Sequence, residues 1–329
     1  MPKFYDRQEA IRRMNTWGET KTPFLFFISY NCEECFVEPL DKIDPQEIRY
    51  HFGNKTNAPR HETPKPESFN WTPQPESFEN YRKAFQLVYH QIHQGNSFLT
   101  NLTAATPVET DLTLLQIFEH AQAKYKLWIK DLFTVFSPEI FVRIADQNIY
   151  SYPMKGTINA SLPNAESRLR NDRKEQAEHA TITDLIRNDL SQIAEKVTVS
   201  RYAYIDRLET NKGAILQMSS EICGLLPDDF QNQLGTLFFR LLPAGSITGA
   251  PKTKTMQIIS QAETFPRGFY TGVAGIWDGK TLDSAVLIRF LEQAAPGHFI
   301  YKSGGGITFQ SDAQKEYEEL IQKIYVPIY

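Results

Sequence analysis

A lysine stands beside a glycine in Pro153-Met154-Lys155-Gly156-Thr157, just after an apolar strand-like run, and an amine held there can act as a nucleophile. On the pentapeptide alone, a surface lysine in a turn is the simpler account. Two pairs of acids are spaced three apart, Glu175 with Glu178 and Glu316 with Glu319, so each pair shares one helix face. Oxygen ligands with no nearby histidine suit a hard cation. Magnesium suits best, because it binds one or two carboxylates and completes its shell with waters or substrate oxygens. For any one pair taken alone, a solvated charged face suffices.

Three further stretches point to an anionic ligand. Arg289, in Leu287-Ile288-Arg289-Phe290-Leu291, is a guanidinium on an apolar strand pattern, costly to bury unless it meets an anion such as a carboxylate. The run Ser303-Gly304-Gly305-Gly306-Ile307 lets backbone approach a ligand closely, or else makes a tight hairpin. Residues 243–252 form a loop of small residues ending in Lys252. Its spacing is not that of a phosphate loop, and Pro251 lacks an amide, but a helix opening at Pro251 leaves free amides and hydroxyls for a carboxylate. Glu139, in Ser137-Pro138-Glu139, lies at a break between two strand-like runs.

These groups need elements to hold them. Residues 23–30 are a continuous apolar run, expected as a buried strand. Prolines at 59, 64, 66, 73 and 75 make 56–75 an excursion without regular helix. Ser77 caps a helix whose apolar face is Phe78, Tyr81, Phe85, Val88 and Ile92, ended by Gly95. Helices are expected over 112–125, 168–189, 235–242, 254–263 and 312–325, and strands over 98–103, 132–136, 140–144, 271–277, 285–292 and 298–303. No βαβ period repeats, which favours α+β. Without a boundary after residue 80, the chain reads as one domain over 1–329, with a shorter N-terminal part, 1–75, and a catalytic core, 76–329.

Composition narrows the class. With 329 residues and 41% apolar content there is ample material for a core. A net charge of −4 without a basic block argues against a nucleic-acid partner. The start has no apolar signal region and no run spans a bilayer, so a cytoplasmic protein without membrane association is expected. Cys32, Cys35 and Cys223 are too few for a disulfide framework and lack companions for a zinc site.

Taken in order, these motifs, together with Lys174-Glu175-Gln176-Ala177-Glu178-His179, Asp184-Leu185-Ile186-Arg187-Asn188-Asp189, Arg267-Gly268-Phe269-Tyr270-Thr271-Gly272 and Glu316-Tyr317-Glu318-Glu319, resemble the chorismate-utilising enzymes. That superfamily includes anthranilate synthase component I, aminodeoxychorismate synthase component I, and the isochorismate and salicylate synthases. The resemblance runs from about residue 76 to Lys323. It implies large, mostly antiparallel sheets packed as a sandwich with helices outside. It also implies chorismate as substrate and Mg2+ as cofactor, held by Glu178 and Glu319 with Glu175 and Glu316 direct or through water. Arg289 and Tyr270 would hold the enolpyruvyl carboxylate, and Gly304, Gly305, Gly306, Ser246, Thr157 and Lys323 would complete the substrate site.

Three positions sort the reactions by resemblance. Lysine at Lys155 is similar to the aminodeoxychorismate synthases, in which it attacks ring C2 before ammonia enters at C4. Glu139 would protonate the departing hydroxyl. Leu99 stands where isochorismate-forming enzymes carry a water-activating lysine. Gln217 stands where many members have a histidine associated with pyruvate elimination. The resemblance thus implies chorismate amination to 4-amino-4-deoxychorismate, for p-aminobenzoate and folate, with Lys155 kept as free amine by a lowered pKa. Ammonia would come from a separate glutaminase subunit, since no cysteine here lies in a Gly-x-Cys-x-Gly elbow. An anthranilate synthase component I, or a non-catalytic chorismate-binding homologue, is the alternative.

Overall fold

The apolar run near the N-terminus becomes the strand Phe24–Ile28, with every side chain buried. Successive strand residues face opposite ways, so an all-apolar strand needs cover on both faces. Phe24, Phe26 and Ile28 meet a helical layer, whereas Leu25 and Phe27 meet a second sheet. In the computed structural model, which describes residues 2–59, 63–210 and 213–328, this strand lies within one of two nine-stranded sheets.

The first sheet runs, in spatial order, Met154–Asn159, Gly213–Leu225, Asn148–Ser151, Ile140–Ala145, Leu282–Val286, Val273–Trp277, Phe24–Ile28 and Cys35–Pro39, and Glu195–Thr210 also pairs with Gly213–Leu225. The second runs Gly249–Ala250, Leu99–Thr110, His298–Ile307, Phe290–Ala295, Phe133–Ser137, Tyr125–Ile129, Ile48–Phe52 and Lys55–Thr56, with Trp71–Pro73 beside Leu99–Thr110. Among the described residues every pairing between these strands is antiparallel.

Leu25, Phe27 and Ile276 of the first sheet pack on Tyr50, Leu127, Phe133 and Phe290 of the second, making the inner core. The outer face of the first sheet is covered by residues of the helices Arg7–Glu19 and Leu234–Arg240, and that of the second by Phe78–His93 and Ala313–Gln322. The α+β sandwich with helices outside is therefore the architecture found.

Several element boundaries differ from expectation, each for a local reason. The helix expected over 112–125 is only Leu114–His120: Thr113 and Gln116 form a reciprocal cap at its start, and Tyr125 already opens a strand. The segment 168–189 splits into Ala165–Asn171 and Arg173–Leu190, because Asp172 turns out of helix and caps the second with its side chain. The strand expected over 285–292 is two strands in different sheets, and Arg289 sits between them with a left-handed φ of 55°. The helix Arg7–Glu19 has no broad apolar stripe. It buries the small or flexible Ala10, Met14 and Gly18, and a side chain at Gly18 would collide with the Gln231 carbonyl. Residues 60–62 of the proline-rich excursion lie outside the described residues.

Candidate active site

Lys155 owes its direction to an irregularity in its strand. Met154 pairs with Ser219 and Thr157 with Gln217, but the register shifts between them, so Lys155 and Gly156 bulge from the ladder. Gly156 has φ 84°, and a side chain there would stand 2.9 Å from a Glu175 oxygen. The bulge brings Lys155 Nζ to 2.9 Å from Glu178 Oε2 on the helix Arg173–Leu190. Burial disfavours the ammonium, but Glu178, Glu319 and Glu175 outweigh it, and the Lys155 pKa stands above its ordinary value. This corrects the expectation of a lowered pKa: the acids facing the lysine favour its charged form.

Those acids share one cleft of about 700 Å³, whose lining includes Lys155, Thr157, Glu175, Glu178, Gln217, Glu316 and Glu319. Burial and mutual repulsion crowd them. Glu175 is raised by burial and then by Glu178, and Glu316 by burial against a hydrogen bond from Ser311. Glu319 goes the other way: burial is outweighed by Lys323, Lys155 and Lys174, and its pKa is lowered. Lys174, one helical turn before Glu178 and 3.6 Å from it, also lines the cleft. Sequence reasoning gave it no role, although the i,i+4 spacing announces the pair.

Across the cleft, Glu139 lies between the strands Phe133–Ser137 and Ile140–Ala145. Ser246, on the helical turn Gly245–Thr248, donates to Glu139 Oε1 at 2.8 Å. Ser246 lines the cleft, but its hydroxyl is thus directed at Glu139, where a part in the substrate site was expected. Glu139 is partly covered and borders the cleft, with its carboxyl held by Ser246. Burial pushes that carboxyl above the usual range, against the Ser246 hydrogen bond and the Lys323 charge.

The glycine run is not a hairpin. Gly304, Gly305 and Gly306 lie within the strand His298–Ile307, opposite Thr103, Leu102 and Asn101. The neighbouring strand Phe290–Ala295 pairs only as far as Lys302, so the run has one open edge, and all three glycines line the cleft. A side chain at Gly304 would stand 2.6 Å from Thr103 Cγ2, whereas one at Gly305 would project toward Glu316 and Lys323. Lys323 donates to the Gly304 carbonyl at 2.8 Å and pairs with Glu319 at 2.8 Å. Arg289 donates to the Lys323 carbonyl at 2.9 Å and lies over the Tyr325 ring, with Tyr270 buried nearby in the same lining. Every residue given a catalytic, substrate or metal role from the sequence therefore borders one cleft. Asn101, Lys302 and Gln322 join them without any local sequence signal. Lys252, at the end of the small-residue loop, does not border it and pairs with Asp189 at 2.8 Å.

A smaller chamber of about 130 Å³, also bordered by Lys155 and Glu139, is lined by Leu99, Phe141, Ile182 and Leu190 among others. Leu99 thus borders the site with no proton to exchange.

The chorismate binding enzyme family matches residues 37–328. The chain belongs to the chorismate-binding enzyme family. The match begins earlier than the expected residue 76 and takes in the strand Ile48–Phe52 at the inner core. This chorismate-binding enzyme is 51% identical over 321 residues to an uncharacterized PabA-like protein of Haemophilus influenzae, covering 98% of this chain and 97% of that one. It is 29% identical to an anthranilate synthase component 1 of Haloarcula marismortui, covering 86% of this chain and 62% of the relative. Its fold is shared with the menaquinone-specific isochorismate synthase MenF of Escherichia coli, at TM-score 0.74 and 16% identity over 98% of this chain and 82% of that one.

Proposed function

We propose that this chorismate-binding enzyme is the chorismate-aminating component of an aminodeoxychorismate synthase, giving 4-amino-4-deoxychorismate from chorismate and ammonia. The observation that carries the reading is the position of Lys155, which bulges from its strand into the same cleft as the Glu139–Ser246 pair. An amine and a protonated carboxyl are the two groups that a double substitution on an allylic alcohol requires. Leu99, beside this site, offers no base for water and so disfavours hydration of the ring.

Glu139 protonates the departing C4 hydroxyl, a role served by the raised pKa of its carboxyl. Lys155, once it has shed its proton, attacks C2, and ammonia then displaces it, leaving the enolpyruvyl group intact. Arg289 and Tyr270 hold the enolpyruvyl carboxylate, with the open edge of the Gly304 to Gly306 run and Lys323 at the anion site. Thr157 completes the lining.

The donor set fits magnesium. Glu175, Glu178, Glu316 and Glu319 are oxygen ligands crowded enough to draw lysine ammoniums as counter-charges. Among the described residues no three His, Cys, Asp or Glu side chains form a ready-made metal cage, and magnesium needs only one or two carboxylates when substrate oxygens and water complete its shell. Glu178 and Glu319 would hold it, with Glu175 and Glu316 direct or through water, and its charge would offset the ring carboxylate. A glutaminase subunit supplies the ammonia. The cysteines offer no nucleophile of their own: burial pushes the Cys32 and Cys35 thiols up to about 11 and about 12.

The test is a product assay. Purified protein with chorismate, magnesium and ammonium at alkaline pH is expected to form aminodeoxychorismate, identified by mass spectrometry. Anthranilate as the main product would overturn the reading in favour of the activity named for the Haloarcula relative.

A further inference from the structure

Arg267 is outside the acid–base and metal machinery, yet its charged side chain is enclosed behind the cleft. Its side chain and that of Glu263 are each 3% exposed, and they pair through two hydrogen bonds, Nε to Oε2 at 2.9 Å and Nη2 to Oε1 at 2.7 Å. The rest of the guanidinium reaches out of the pair. Nη2 donates to the Asn101 carbonyl at 2.6 Å, and Nη1 donates to the Ile247 carbonyl at 2.9 Å and to Thr271 Oγ1 at 3.4 Å. Glu263 in turn accepts from the Thr103 amide at 2.9 Å and hydroxyl at 2.7 Å.

Each contact of the guanidinium beyond Glu263 ends on a wall of the cleft or one residue from it. Asn101 lines the cleft and lies opposite Gly306 in the ladder, so the fork holds the strand that runs beside the glycine run. Ile247 follows Ser246, the residue directed at Glu139. Thr271 follows Tyr270 and donates to its carbonyl at 2.6 Å. The Arg267 carbonyl itself accepts from Lys302, another lining residue, at 3.1 Å. One planar fork therefore spans the strand, the helical turn and the loop that carry these residues, segments far apart in sequence.

We propose that Arg267, held by Glu263, is a positioning residue that sets the spacing of the anion-binding walls and so determines the affinity for chorismate without touching it. A lysine would keep a positive charge beside Glu263 but lose the two-point grip on its carboxylate and the reach to the Asn101 and Ile247 carbonyls. Only a fork with fixed planar donors can hold two carbonyls and a carboxylate at once. The inference rests on chorismate being the ligand, as the proposed function has it.

The experiment measures chorismate binding by calorimetry, with KM and kcat in the ammonium-dependent reaction, for the wild-type chain and Arg267→Lys. Charge and burial survive in this variant while the fork is lost. The expected result is a Kd and KM raised about tenfold, with kcat within about threefold and native circular dichroism. A folded Arg267→Lys that binds chorismate within twofold of wild type, whatever its melting temperature, would overturn the proposal and leave the pair a purely structural one. Should Arg267→Lys not fold, Thr103→Val, which removes one hydrogen bond to Glu263, decides: a Kd raised about threefold supports the proposal and an unchanged one overturns it. Wild-type protein that binds no chorismate would instead overturn the functional reading itself.

Discussion

Ser246 Oγ donates a 2.8 Å hydrogen bond to Glu139 Oε1 across 107 positions of sequence. The bond favours the carboxylate, which can only accept, and so partly counters the burial that raises the Glu139 pKa. A general acid acts in its protonated form. In Ser246→Ala the pKa rises further, and the inflection that Glu139 gives to the pH profile of kcat/KM moves to higher pH. Glu139→Gln, which has no proton to give, is expected to lower kcat by roughly 10²- to 10⁴-fold. A pH–rate profile of both variants checks this, and a Ser246→Ala profile superimposed on wild type would remove Glu139 from the acid's role.

The glycine run makes a prediction that separates fold from binding. Gly304→Ala places a methyl 2.6 Å from Thr103 Cγ2 and 2.7 Å from the Leu102 carbonyl, so the two strands must part. The cost expected is about 1–3 kcal/mol, read by urea denaturation. Gly305→Ala meets only Glu316 at 3.4 Å and Lys323 at 3.8 Å, both on the cleft side. It is expected to keep its stability and raise the KM for chorismate. Equal destabilisation by the two would contradict the open edge.

How much of this was legible beforehand depended on distance along the chain. Glu175 and Glu178 could be placed on one face because helical spacing is a local property, and Ser77 could be read as a cap for the same reason. Arg289 was misplaced on a strand because the apolar run around it is continuous, whereas its own φ of 55° breaks that run between two sheets. The glycine triplet carried a turn signal, yet pairing with Leu99–Thr110 keeps it extended, a tertiary effect with no local trace. Lys155 was singled out as a nucleophile, but its charge state depends on acids from two other helices. Arg267 and Asn101, 166 positions apart, could not have been joined from sequence at all.

Arg49 and Glu119 supply a control for the buried pair behind the cleft. Their side chains are 1% and 4% exposed, 3.0 Å apart, between the strand Ile48–Phe52 and the helix Leu114–His120, and neither lines the cleft. Arg49→Met leaves the Glu119 carboxylate enclosed without that partner, at an expected cost of about 3–5 kcal/mol in denaturant unfolding. Because the pair is remote from the substrate, KM for the folded fraction is expected to stay at the wild-type value. A raised KM would show that stability loss alone disturbs the cleft.

The last prediction concerns the proton on Lys155. Its pKa is raised because Glu178, then Glu319 and Glu175, outweigh burial. The pair therefore stabilises the fold below the ordinary lysine value of 10.5 and loses that contribution only as pH climbs through the raised value. For nucleophilic attack the sign is reversed: the free amine grows with pH, so reactivity rises toward the alkaline range. In Glu178→Gln the largest attraction is gone, and the rise shifts to lower pH. The measurement is the rate of Lys155 modification by an amine-reactive reagent, followed by peptide mass spectrometry across pH, and it needs neither metal nor turnover. Lys155→Met should lose the modified peptide and the substrate adduct together, with amination reduced by about 10²-fold or more. A Glu178→Gln curve lying on the wild-type curve would mean that some other group holds the ammonium in place.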